Sequence, residues 1–296
     1  MSKGRPDFSE VLMDLGRLIE ALGDYRQVAV LTGGLVPFFF RRLPEFAAPA
    51  IPPLFTSDMD WTLPRELKVR GEQPLADRLA DSHFVVIRTP ASDPPVQWFQ
   101  HERHGRDRLA PIYAEFLVPL VGSASSRAGR ARTVRVVQRG LTAQALRYLD
   151  LLLHSPIKTD ASLVRELGLV HRREILLPQP ANYVLQKILA WPERAPEKRD
   201  KDLAYVYEVA LLTRDRLDDV ARSVAALRRR HPAPWFARAR KLMEKLFASD
   251  TSDGPIAVAR QYRGLMTKGG APSERAVWTV VHGFTEAWWT DAGRGR

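Results

Sequence analysis

The chain has 296 residues, 45% of them hydrophobic, which is enough to pack one large core or two modest ones and excludes a disordered protein. Its 45 Lys and Arg against 34 Asp and Glu leave a formal net charge of +11, which favours a polyanionic partner; RNA, DNA, nucleotides and an anionic membrane surface all satisfy it. Having no cysteine, the chain has no disulfide, thiol nucleophile or thiolate zinc site, so any metal must be held by oxygen or imidazole.

No apolar run approaches the roughly 18 residues needed to span a bilayer, and residues 1–7 lack the apolar core of a signal peptide, so a cytoplasmic protein without membrane contact is expected. Residues 8–22 carry Val11, Leu12, Leu15, Leu18, Ile19 and Leu22 at three-and-four spacing, which predicts an amphipathic helix capped by Asp7 or Ser9 and stopped by Gly23. Residues 28–31 form a short apolar strand closed by Gly33-Gly34, after which 35–42 continue as a helix. Residues 47–55, with Pro49, Pro52 and Pro53, read as a loop leading to a strand at 56–63. Next come a helix at 73–82 and strands at 84–89, 96–100 and 112–118.

From residue 141 the pattern changes. Residues 141–153 read as a helix, and 174–177 as the last strand before Pro178 and Pro180. Pro180 suits the first turn of a helix, where a missing N–H costs nothing, and Tyr183, Val184, Ile188 and Leu189 form its apolar stripe. Further helices are predicted at 197–212, 217–230, 234–247, 256–267 and 273–289. The expected fold class is α+β: a mixed sheet with flanking helices in residues 1–178, followed by an all-helical domain in 179–296.

The chemistry is concentrated in Thr56-Ser57-Asp58-Met59-Asp60-Trp61-Thr62. Residues two apart on a strand share a face, so Asp58 and Asp60 can hold one cation, and two like charges aimed at one spot are relieved by a divalent metal. Gly33-Gly34 before a helix leaves backbone N–H groups uncovered for a phosphate. Glu115 lies among the apolar residues of 111–119, where an acid is costly unless a cation faces it, which makes it the third carboxylate of the set.

The succession Gly33-Gly34, Asp58-x-Asp60, Glu115 resembles the nucleotidyltransferase fold of the DNA polymerase beta superfamily, more particularly its AbiEii-like abortive-infection branch and related bacterial proteins of unassigned role. The similarity spans residues 28–212. In the second half, residues 180–189 look like the branch's helix ending in an essential lysine, here Lys187, and Arg199-Asp200-Lys201-Asp202 looks like its Arg-x-Lys-Asp motif.

The resemblance implies an enzyme that moves an NMP from an NTP to a hydroxyl acceptor, with Mg²⁺ (or Mn²⁺) on Asp58 and Asp60 and pyrophosphate leaving. Glu115 would be general base or third metal ligand, and Gly33 and Gly34 would take the β- and γ-phosphates. Lys187, Arg199 and Lys201 would counter the charge on the nucleotide phosphates, and Asp202 would orient one of them by an ion pair. In the family such activity serves toxin systems that modify RNA or protein, and the basic charge of this chain makes a tRNA-like RNA the expected acceptor, with a cognate antitoxin as a further expected partner. A small-molecule acceptor or a catalytically silent nucleotide- or RNA-binding module are the alternatives.

Other features point less far. His101-Glu102-Arg103-His104 lacks the spacing of a zinc-binding His-Glu-x-x-His and reads as a solvated loop. Arg127, Arg130, Arg132, Arg135 and Arg139 form a basic arm. A second basic cluster over 228–245 surrounds Trp235 and Phe236; it suits RNA, or else is a solvated helix face with Trp235 in the core.

Overall fold

The computed structural model describes residues 7–46, 49–54, 56–88, 96–102, 112–122, 134–266 and 270–289. They build an α+β protein of two compact units, one of Met1–Val36 with Phe55–Pro178, the other of Pro37–Leu54 with Gln179–Arg296. In the first unit helix α1 (Phe8–Leu22) has the predicted bounds. Asp7 caps it by accepting from the Ser9 N–H at 3.1 Å. Gly23, at φ 51°, ends it in a conformation that side chains resist. Val11, Leu15, Leu18 and Leu22 are fully buried, and the helix packs on α3 (Leu75–Asp81).

Among the described residues nine strands form one mixed sheet: β1 (Val30–Thr32), β2 (Asp58–Thr62), β3 (Phe84–Arg88), β4 (Gln97–His101), β5 (Tyr113–Pro119), β6 (Val134–Gln138), β7 (Leu141–Leu146), β8 (Ile157–Asp160) and β9 (Glu174–Leu177). Their order is β3-β4-β5-β2-β1-β9-β8, with β7 paired to β5 and β6 to β7. β4 lies against Ala114 and Glu115 of β5, and β7 against Leu117 to Pro119, so the two share one side of that strand.

The expectation of a helix at 141–153 is overturned. Leu141, Ala143 and Ala145 are buried and alternate with half-buried Thr142, Gln144 and Leu146, a period of two, and only Leu149–Leu151 makes a single 3-10 turn. The apolar content of this stretch fits either period; pairing with β5 and β6 decides for the strand. β6 and β8 are likewise strands that local pattern does not announce, one carrying Arg135 and the other reading only Ile-Lys-Thr-Asp.

The two faces of the sheet differ. Met59, Trp61, Phe99, Ala114, Phe116 and Val118 fill one face with side chains that are almost wholly buried. The opposite face carries Asp58, Asp60 and Thr62 from β2 beside Tyr113, Glu115 and Leu117 from β5. It is closed at one end, with Thr62 at 0% and Leu117 at 7% exposure, and opens toward Asp58, which is exposed.

The second unit is helical: α4 (Pro180–Ala190), α5 (Pro196–Leu212), α6 (Leu217–Arg228), α7 (Ala233–Leu246), α8 (Asp253–Arg263) and α9 (Glu274–Trp289). Pro180 and Pro196 each stand in a first helical turn. α4 is buried nearly all round, against α5, α6 and α7, so its predicted stripe is wider than the four residues that announced it. To this unit belongs the stretch Pro37–Leu54, held by Arg41: its Nη1 and Nη2 donate to the carbonyls of Ile51 and Pro52 at 2.6 and 3.3 Å, and its Nε to the carboxylate of Glu208 on α5. Among the described residues no helix is long and apolar enough to cross a membrane.

Candidate active site

Register brings the predicted acids of the first unit together. β2 and β5 run parallel with Asp60 opposite Glu115 and Asp58 opposite Tyr113. β1 runs antiparallel to β2 with Thr32 opposite Asp60, and β4 places Trp98 opposite Glu115. Trp98, Glu115, Asp60 and Thr32 therefore form one row across four adjacent strands, and paired residues point to the same side of a sheet. Asp58 stands one step along the same face.

Gly33 follows Thr32 at the end of this row. Its φ is 69°, and a β-carbon built there would lie 2.1 Å from Asp60 Oδ2. Only glycine lets the backbone of this turn close on the carboxylate. Thr62 Oγ1 donates to Thr32 Oγ1 at 3.4 Å and ties the two strands behind the acids. Gly34 is buried in the single 3-10 turn that leads into α2 (Val36–Phe40). That turn packs against β2.

As metal donors these residues are all oxygen ligands, the chemistry that suits a hard cation. Among the described residues no group of three or more His, Asp or Glu gathers closely enough to hold a metal alone. Mg²⁺ does not need such a cage, because it keeps waters and is bound through one or two carboxylates together with substrate phosphates. Asp58 and Asp60, on one face and open to solvent on the Asp58 side, fit that mode.

The predicted cationic residues of the second unit have partners of their own. Lys187 is 8% exposed, and its Nζ donates to Asp202 Oδ1 at 2.8 Å. It also lies over the rings of Tyr183 and Tyr205 at 5.6 and 5.4 Å from their centroids. Asp202 uses its other oxygen to accept from Arg194 Nε at 3.0 Å. Arg199 Nε and Nη2 donate to the carbonyls of Arg194 and Pro192, both at 3.0 Å, and the guanidinium covers the Trp191 ring. Lys201 sits over Tyr205 at 5.7 Å. Asp202 thus orients two cations, Lys187 and Arg194, and does not pair with Arg199.

Arg194 is absent from the sequence reading because it precedes the motif and stands in an ordinary charged stretch. Glu208 could have been found, since an acid between Val206 and Val209 calls for a cation by the argument applied to Glu115. Burial pushes the Glu208 carboxyl up, and the Arg41 guanidinium and Tyr262 hydroxyl pull it back down. Burial, reinforced by the Glu208 charge, raises Tyr262.

The remaining sequence features resolve differently. His101 ends β4 and is buried, its ring 5.2 Å from that of Phe84, so it is not a solvated loop residue; Arg103 and His104 lie outside the described residues. So do Arg127, Arg130 and Arg132, while Arg135 and Arg139 fall on and beside β6. Phe236 takes the core position of α7, and Trp235 is half-buried and stacked on His231 with centroids 5.8 Å apart. Arg228 donates to the Trp288 carbonyl at 3.1 Å and Arg240 to Glu244 at 2.7 Å, so part of this basic cluster serves helix packing.

A family profile described as nucleotidyltransferase matches residues 12–228, which takes in the acid row, the glycine turn and the Lys187–Asp202 pair. The chain belongs to the nucleotidyltransferase family. Its members' shared reaction, transfer of an NMP group, is the general activity this family membership supports. A similar solved structure is that of an antigenic nucleotidyltransferase-like protein from Paracoccidioides brasiliensis, 13% identical over 79% of this chain and 92% of that one, with a TM-score of 0.38. Comparison with curated proteins finds no match.

Proposed function

We propose that this nucleotidyltransferase-family chain is an active, divalent-metal-dependent enzyme that moves an NMP from an NTP to a hydroxyl of RNA. The observation that carries the reading is the glycine turn pressed against Asp60, because it brings a helix-leading turn of backbone directly beside a carboxylate on an open face. Asp58 and Asp60 hold Mg²⁺ (or Mn²⁺), which when bound polarises the phosphoryl oxygens. Gly33 and Gly34 receive the β- and γ-phosphates.

Glu115, one strand from Asp60, accepts the proton of the attacking hydroxyl. Arg199 and Lys201 supply positive charge for the nucleotide phosphates. Lys187 contributes by fixing Asp202, and through it Arg194. The net charge of +11 favours a polyanionic, tRNA-like acceptor over a cationic small molecule. The motif order supports a place in the AbiEii-like branch, and with it a toxin role and a cognate antitoxin.

The test is incubation with labelled NTPs, Mg²⁺ or Mn²⁺ and total RNA. The wild-type chain should label RNA. Asp58→Asn and Asp60→Asn should each lower labelling by more than about 100-fold, beyond what loss of a residue supporting a metal ligand produces. Labelling that survives both substitutions would overturn the assignment.

A further inference from the structure

The row of paired residues does not stop at the acids. Beyond Glu115, on the side away from the glycine turn, stands Trp98, and next to it on the same face is Tyr113, the partner of Asp58. The two rings are 5.3 Å apart and tilted by 35°. Both are half-buried, on the face where Asp58 is exposed. Their same-face neighbours further out are Ile87 and Gln100, which carry no charge.

Strand spacing of about 4.8 Å puts the Trp98 position roughly 10 Å from Asp60, and the turn after Thr32 about one strand from Asp60 in the opposite direction. In an in-line displacement the leaving group and the attacking hydroxyl lie on opposite sides of the transferred phosphorus. If pyrophosphate leaves over the glycine turn, the attacking hydroxyl enters over β5 and β4, where the aromatic pair is. We propose that Trp98 and Tyr113 form a stacking platform for a nucleobase of the acceptor strand, which seats the ribose hydroxyl of that nucleotide against Glu115.

The proposal rests on the assignment of Asp58 and Asp60 as the transfer site. A base stacked here is read by its flat face, so the platform tolerates any base. It also explains why two large aromatic side chains stand half-buried on the same sheet face as three carboxylates. The donor's own base, or a cationic amine held by the rings and acids together, are the competing occupants.

The experiment measures binding without chemistry. A short fluorescein-labelled single-stranded RNA and, separately, ATP are titrated with Mg²⁺ present and no transfer possible, the RNA titration lacking NTP. Trp98→Ala should weaken RNA binding by roughly 5- to 100-fold, the range for loss of one stacked base, with ATP affinity unchanged. Trp98→Phe, which keeps an aromatic face, should restore most of it, separating stacking from misfolding. An RNA ending in 4-thiouridine should photocrosslink to the strand bearing Trp98 or the strand bearing Tyr113.

Loss of ATP affinity with RNA affinity retained would give the platform to the donor base and overturn the proposal. Unchanged binding of both ligands, or direct binding of spermidine that Trp98→Ala abolishes while RNA affinity is retained, would overturn it too. Asp58→Asn is the control that separates the two readings. It should abolish labelling while leaving stacking at Trp98 intact, whereas wild-type RNA binding and crosslinking in a chain that never labels RNA would sink the transfer reading alone.

Discussion

Charges are treated in opposite ways in the two units. In the sheet unit Asp58, Asp60 and Glu115 share one open face, with a glycine turn closing on the middle one. In the helical unit Lys187, Asp202 and Glu208 are buried, and each has at least one charged partner within the same unit. Like charges gathered on one face repel, and a bound cation relieves that repulsion, so such an arrangement points to a ligand. Opposite charges paired in a core do not need a ligand, and breaking one pair leaves its partner stranded.

The sharpest way to break this contrast is Glu208→Ala. It strands the Arg41 guanidinium, 7% exposed, and removes the acceptor of Tyr262. A loss of about 3–5 kcal/mol is expected, read by urea unfolding. Unfolding within 1 kcal/mol of wild type would show that Arg41 finds water or the Ile51 and Pro52 carbonyls sufficient.

Lys187→Ala should cost less, about 1.5–3 kcal/mol, because Asp202 keeps Arg194. If Lys187 acts by ordering the helices, transfer should fall in step with the folded fraction and recover at lower temperature. Loss of transfer in fully folded protein would instead give its ammonium a direct part in holding the nucleotide.

The smallest effect sits in the sheet unit, at the carboxylate of Asp160. Asp160 accepts from the N–H and hydroxyl of Ser162 at 3.0 and 2.7 Å. Burial alone would raise its carboxyl, but the bonds from Ser162 and the Arg173 N–H, with the Arg172 charge, outweigh it and lower the pKa. The folded state then binds protons less readily than the unfolded one, so the stabilisation is present above about pH 4 and is lost as pH falls through the lowered value. Asp160→Ala should cost about 1 kcal/mol at pH 7, and its thermal unfolding should converge with that of wild type in acid. A constant difference across that range would assign the effect to packing.

Helix α1 was legible to the residue, because its cap, its stop and its apolar spacing agree. The acids were legible too, since Asp58 and Asp60 need only a strand, and Glu115 only a register, to share a face. β7 was not, because Leu-Thr-Ala-Gln-Ala-Leu fits both periods and its partners come from distant strands. The burial of Lys187 against Asp202 was not legible, since nothing local shows that α4 is covered by three other helices.

By itself the sequence determined the α+β class, the order of glycine turn, Asp pair and Glu, and the chemistry those residue types support. These follow from local spacing and the fixed two-residue period of a strand. Only the tertiary structure decided which charges gather on one sheet face and which are buried in pairs, and that Trp98 and Tyr113 stand beside the acids. Burial and strand register depend on elements tens of residues apart, and no local pattern encodes their pairing.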